Sequence, residues 1–152
     1  MGLIVSILVC FAASGVGALF TTPNIEGWYQ TLESPAGTPP NWIFGPVWSL
    51  LYLLMAISAW WIWKEKGFRE AQRPLTIFAV QLTLNVLWSI LFFGFQSPGV
   101  ALLEIILLWI MILTTIVTFS RIAKVAGLLL IPYLLWVSFA TYLNYGFWSL
   151  NA

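Results

Sequence analysis

An all-α integral membrane bundle of five transmembrane helices is the fold class this chain predicts, on three observations. The 152 residues are 61% hydrophobic and only 7% charged, well outside the balance of a soluble domain. The apolar residues gather in five runs of about 18 to 22 residues, each long enough to cross a hydrocarbon core. All six basic residues fall in two of the connectors between those runs.

The first run, Leu3–Phe20, has no Lys or Arg before it. It lacks the positive region of a secretory signal and reads as a retained span. Within it, Ala13 with Gly17 and Ser14 with Ala18 are small-xxx-small pairs that admit a second helix, from this chain or from a homodimer partner. The connector Thr21–Asn41 follows, carrying Trp28, Tyr29 and several prolines. Pro39-Pro40 precedes the second span, Trp42–Trp63, where a missing N–H costs nothing; Pro46, inside its first turns, predicts a kink. Lys64–Arg73 leads to the third span, Pro74–Phe95, and Gln96-Ser97 to the fourth, Pro98–Phe119. Ser120–Ala126 leads to the fifth, Gly127–Trp148, in which Pro132 is a second candidate kink. The chain is one domain over residues 1–152, with about 21–41 as a candidate lid.

Five spans place Lys64, Lys66, Arg69 and Arg73 on the same side as Arg121 and Lys124. The positive-inside rule makes that side, and the N-terminus, cytoplasmic. A multi-pass protein of the bacterial cytoplasmic membrane is expected.

Polar and aromatic residues inside the spans form stripes. In the third span Gln81, Asn85, Trp88 and Phe92 share an arc of about 60°, and in the fifth Tyr133, Trp136, Ala140, Asn144 and Phe147 share about 80°. The second span adds Gly45, Trp48, Tyr52 and Met55 at helical spacing. An amide in hydrocarbon needs a partner, so these stripes face the bundle interior. Asn85 reads equally as interhelical glue and as pocket lining, whereas Gln81 reads as glue. Helical rise puts Trp48 and Trp88 about 8–10 Å below the outer boundary and Trp136 about 18 Å below it. They converge on a pocket in the outer half, under the lid.

Glu104 is the one acid inside a span. It lies about 9 Å from the Pro98 end, where partial hydration or an interhelical hydrogen bond would satisfy it; a proton or substrate role is the second reading. Of the ten tryptophans, Trp42, Trp60, Trp61, Trp63 and Trp148 suit an interfacial belt. Trp109 points to lipid or a neighbouring helix, and Trp28 belongs to the lid.

Other chemistry is excluded by composition. There is no His, no Asp and a single cysteine, Cys10, so the usual metal clusters and a Ser-His-Asp centre are ruled out. No metal and no cofactor is expected, and a net charge of +1 gives nucleic acid nothing to recognise. A site that stacks on and encloses a flat apolar molecule remains, beside contact with membrane lipid.

Trp28-Tyr29, Pro35, Thr38-Pro39-Pro40, Phe44-Gly45-Pro46-Val47-Trp48, Leu51-Tyr52, Gln81-Leu82 with Asn85 and Trp88, Phe92-Phe93-Gly94, and Pro132-Tyr133-Leu134-Leu135-Trp136 through Phe139-Ala140-Thr141-Tyr142-Leu143-Asn144 together resemble the translocator protein family. This is the family of tryptophan-rich sensory proteins and peripheral-type benzodiazepine receptors. The resemblance runs nearly the whole chain in order. It implies five transmembrane helices, homodimers, and binding of porphyrins and benzodiazepine-site ligands. Trp48 and Trp136 match the two pocket tryptophans implicated in porphyrin breakdown by some bacterial members, and Tyr29, Asn85, Trp88 and Ala140 match other pocket-lining positions. The chain departs at Gly37, where the family commonly has a lid tryptophan, and after Tyr145, where the animal sterol motif needs a basic residue. The expected function is that of a receptor or sensor holding tetrapyrroles against Tyr29, Trp48, Tyr52, Asn85, Trp88, Trp136 and Ala140. Light- and oxygen-dependent porphyrin degradation through Trp48 and Trp136 is the alternative, and transport of tetrapyrrole or lipid a second one.

Overall fold

The computed structural model describes residues 1–152 and contains five helical spans, each long and apolar enough to cross a membrane. In order these are α1 (Gly2–Ile25), a single 3₁₀ turn (Trp28–Thr31), α2 (Asn41–Glu70), α3 (Gln72–Ser89) running into a π turn (Ile90–Gly94), α4 (Pro98–Ser120), α5 (Lys124–Leu129) and α6 (Ile131–Asn151). The last two, joined at Leu130, make the fifth span. The protein is a multi-pass, all-α membrane bundle.

Two boundaries differ from expectation. Residues 21–25 belong to α1, because their polar side chains bond back to the preceding turn: Thr21 Oγ1 donates to the Gly17 carbonyl at 3.1 Å and Asn24 Nδ2 to that of Phe20 at 2.8 Å. The candidate lid therefore shrinks to residues 26–40. Most of the Lys64–Arg73 connector is helical, since α2 continues to Glu70 past a break at Gly67, where φ is 74°. The interruption expected at Pro132 is present: the fifth span breaks at Leu130, between α5 and α6, and Pro132 sits in the first turn of α6, where no donor is needed.

The core is built around α4, whose Ala101, Ile105, Leu108, Ile112 and Phe119 are buried at helical spacing between α3 and α6. Serine hydroxyls tie the outer helices to it. Ser6 Oγ donates to the Ala56 carbonyl at 2.6 Å, joining α1 to α2, and Ser58 Oγ to that of Ala126 at 2.7 Å, joining α2 to α5. Gly17 is buried, with its Cβ position 3.5 Å from Ser89 Oγ of α3, so the Ala13–Gly17 pair serves packing within the chain. Trp109 Nε1 donates to Ser138 Oγ at 2.8 Å, placing that ring against α6.

At the end bearing the basic residues, the Lys64 ammonium lies 4.3 Å from the Trp61 ring centroid and 5.0 Å from that of Trp60, a cation–π contact at the margin of the span. Trp42, at the other end, is 73% exposed. Both suit an interfacial belt. Glu104 does not match expectation: it is only 8% exposed, and neither carboxylate oxygen has a hydrogen-bond partner. It lies on the inward face of α4 with Ala101 and Leu108, which removes it from hydration.

Candidate functional site

A cavity of about 340 Å³ lies between α1, α2, α3 and α6 in the half of the bundle away from the basic end. All seven predicted contact residues border it: Tyr29, Trp48, Tyr52, Asn85, Trp88, Trp136 and Ala140. Three helices present all but Tyr29, which lies on the 3₁₀ turn, because each stripe recurs every three or four residues and one face of each helix turns inward. Met55, grouped with the second-span stripe, is instead fully buried beneath the cavity in the core.

The walls are aromatic. Trp48 lies 5.9 Å from the Tyr52 ring and 6.4 Å from that of Tyr133, centroid to centroid. Trp136 meets Phe44 edge-on at 6.0 Å, and Trp88 stacks on Phe92 at 5.2 Å with planes 27° apart. The π turn allows the last of these. Its wider backbone, with Phe95 N–H reaching the Ile90 carbonyl at 2.8 Å, brings consecutive Phe92 and Phe93 side by side at 4.8 Å. Such turns often sit at functional sites.

Amides hold these rings in place. Asn85 Nδ2 donates to the Tyr133 hydroxyl at 2.8 Å, and that hydroxyl donates to Gln81 Oε1 at 2.8 Å. Gln81 is glue, as expected. Asn85 is both glue and lining: its Nδ2 is engaged by Tyr133, which leaves Oδ1 as the amide atom available to the cavity. Trp88 Nε1 donates to Asn144 Oδ1 at 2.9 Å, and Asn144 Nδ2 to the Pro98 carbonyl at 2.7 Å. One polar atom of the walls is left over. Trp136 Nε1 is buried with no partner.

The roof is the 3₁₀ turn. The Tyr29 ring lies 5.0 Å from Phe147 and 5.7 Å from Phe93, and burial pushes its hydroxyl up to about 12. Trp28 packs edge-on over Phe92 at 5.6 Å and so braces the roof from behind. Beyond it, loop 32–40 is fastened to α6. Asn151 Oδ1 accepts from the Glu33 N–H at 2.8 Å, Asn151 Nδ2 donates to the Glu33 carbonyl at 2.9 Å, and the Tyr142 hydroxyl donates to the Ala36 carbonyl at 2.7 Å. Gly146 lets Pro35 lie directly on the helix, since a Cβ there would overlap the proline ring. Gly37 has φ of 86°, a backbone state that suits glycine and strains other residues.

The fourth wall was missed from sequence. Ser14, Gly17, Ala18 and Thr21 of α1 line the cavity. Their spacing was the available signal, yet small residues at that spacing equally mark helix packing.

A polytopic helical membrane protein with an aromatic, roofed cavity in one half of its bundle is the class these features define. The TspO/MBR family model matches residues 6–149. The chain is 47% identical over 150 residues to the tryptophan-rich protein TspO of Archaeoglobus fulgidus, covering 99% of this chain and 97% of that one. It is 40% identical to the translocator protein of Bos taurus over 138 residues, 90% and 82% of the two chains. To the tryptophan-rich sensory protein of Cereibacter sphaeroides it is 34% identical over 142 residues, 93% and 86%. The chain belongs to the TspO/MBR family.

Proposed function

We propose that the protein is a membrane receptor or sensor that holds a flat, largely apolar molecule of the porphyrin or benzodiazepine-site type in this cavity. The observation that carries the reading is that Trp48, Trp88 and Trp136, from three different helices, border one cavity together with the Asn85 amide. Aromatic faces supply most of the affinity, and Asn85 Oδ1, the amide atom left free at the wall, accepts from a ligand donor and sets orientation. At about 340 Å³ the cavity is at the small end of ligand pockets, roughly 300–1,000 Å³, so a macrocycle would leave one edge outside it.

In this reading the basic end faces the cytoplasm, with the N-terminus inside a bacterial membrane. A homodimer belongs to it too, through a face other than the inward-turned Ala13–Gly17 pair.

The test is a protoporphyrin titration of the chain in lipid nanodiscs, read by tryptophan fluorescence. Trp136→Phe keeps an aromatic face and is expected to weaken binding by less than about fivefold, the worth of one net hydrogen bond of about 1 kcal/mol. Trp136→Ala should cost more, because the wall itself goes. Unchanged affinity in both Trp136→Ala and Asn85→Ala would sink the pocket reading. Illumination during the titration separates binding from degradation: a new product that disappears in Trp48→Phe or Trp136→Phe would favour the enzyme.

A further inference from the structure

The cavity is roofed but not sealed, and its opening lies on the flank of the bundle. Near the basic end α1 and α2 are in close contact. A Cβ at Gly2 would sit 3.2 Å from Trp60 and 3.3 Å from Trp63, Ser6 bonds to Ala56, and Phe11 lies 6.4 Å from Tyr52. Toward the other end the two helices part. Nothing lies within 4 Å of a Cβ built at Gly15 or at Gly45. There α1 leans on α3 instead, through Gly17 against Ser89 and through Phe20, whose ring comes within 2.8 Å of the Cβ position of Gly94.

The lining residues divide accordingly. On the α3 and α6 side Asn85, Phe92, Ala140 and Asn144 are buried, whereas Ala18 and Thr22 of α1 and Gly45 and Ser49 of α2 are exposed. These four are small, and each pair is one helical turn apart, about 6 Å along the axis. They lie inside the membrane-spanning helices, so the gap they frame faces lipid. The top route is blocked by Tyr29 on Phe93 and Phe147 and by the Asn151 and Tyr142 fastenings of loop 32–40.

We infer that the slot between the splayed halves of α1 and α2 is the doorway of the site, and that its user is a flat apolar molecule already dissolved in the adjoining leaflet, passing in edge-on while the roof stays shut. The inference depends on the cavity being a ligand site. It also accounts for how a macrocycle larger than the cavity fits, with its last edge standing in the slot among acyl chains.

The experiment uses the full chain in nanodiscs loaded with protoporphyrin, followed by stopped-flow tryptophan quenching. A ring placed in the slot, Gly45→Phe or Ala18→Phe, is expected to slow association and dissociation together, by about tenfold. Damage to the pocket would instead speed dissociation alone. Asn151→Ala, which unfastens the loop, is expected to leave both rates as they were. If Asn151→Ala speeds both rates while Gly45→Phe and Ala18→Phe change neither, the route is through the roof and the inference is overturned. An independent measurement needs no porphyrin: a nitroxide on Ser49→Cys, in a Cys10→Ala background, should be relaxed by molecular oxygen and shielded from a water-soluble nickel chelate. Preferential relaxation by the chelate would mean that the slot faces water. Absence of saturable porphyrin binding in the unmodified chain would refute the pocket reading, while the nitroxide would still decide where the slot opens.

Discussion

Tyr133 shows how a single buried hydroxyl organises the site without lining it. It accepts from Asn85 and donates to Gln81, so Tyr133→Phe strips partners from two buried amides at once. Hydrogen bonds between membrane helices average about 0.6 kcal/mol, but an amide left unsatisfied costs about 1–3 kcal/mol. The second effect should win. A destabilisation of about 1–2 kcal/mol, read as a lowered thermal midpoint of the detergent-solubilised chain, is expected, with weaker ligand binding because Asn85 loses its anchor. Glu104 makes the opposite case. Its carboxyl is buried with no hydrogen bond, so Glu104→Leu, which keeps the volume and removes the polar atoms, is expected to raise the midpoint. A lowered midpoint would mean that the carboxyl holds a partner on which the bundle depends. The stripes of α3 and α6 were legible in the sequence because amides in apolar runs have to turn inward. The unpartnered Trp136 Nε1 was not, since spacing says which face a ring occupies and nothing about its hydrogen bonds.

Among the elements, the loop after α1 depends most on distant parts of the chain. Asn151 grips both the N–H and the carbonyl of Glu33, 118 positions away. Asn151→Ala should therefore free the loop while leaving the helices intact. Cleavage after Glu33 by a glutamate-specific protease is expected to accelerate several-fold, with unchanged helical circular dichroism; an unchanged cleavage rate would show that Pro35 and Tyr142 suffice. The sequence located this loop but set its start at Thr21. Thr, Pro and Asn are individually poor in helix interiors, and only back-bonding to the Gly17 and Phe20 carbonyls shows that the helix runs on. The role of α1 was hidden for a related reason: Ser14, Gly17 and Ala18 carry too little side chain to signal a wall.

For the molecule as a whole, the spans and their order follow directly from apolar length, while the shape of the bundle does not. The parting of α1 from α2 comes from where Gly2, Ser6 and Phe11 find partners and where Gly15 and Gly45 find none, a matter of contact between distant segments. The pH response should also belong to the whole roof. Burial raises the Tyr29 hydroxyl from 10 to about 12, so the folded state holds that proton more tightly than the unfolded one. The contribution is complete below about pH 10 and is lost as pH rises toward 12. Porphyrin affinity is expected to stay flat from about pH 6 to 9 and to decline above 10 in the native chain. Tyr29→Phe should remove that decline.

The π turn at Ile90–Gly94 adds a constraint that no substitution probes. A wider turn takes up one residue more than a regular one, so α3 contains a surplus residue relative to an uninterrupted helix reaching Pro98. Side chains beyond the turn keep their bearing only while that surplus is retained. Chain length between Trp88 and Pro98 is therefore as much a specification of the aromatic wall as the identities of Phe92 and Phe93. A variant that preserved every ring but lost one link of backbone would have all the right residues aimed in the wrong direction.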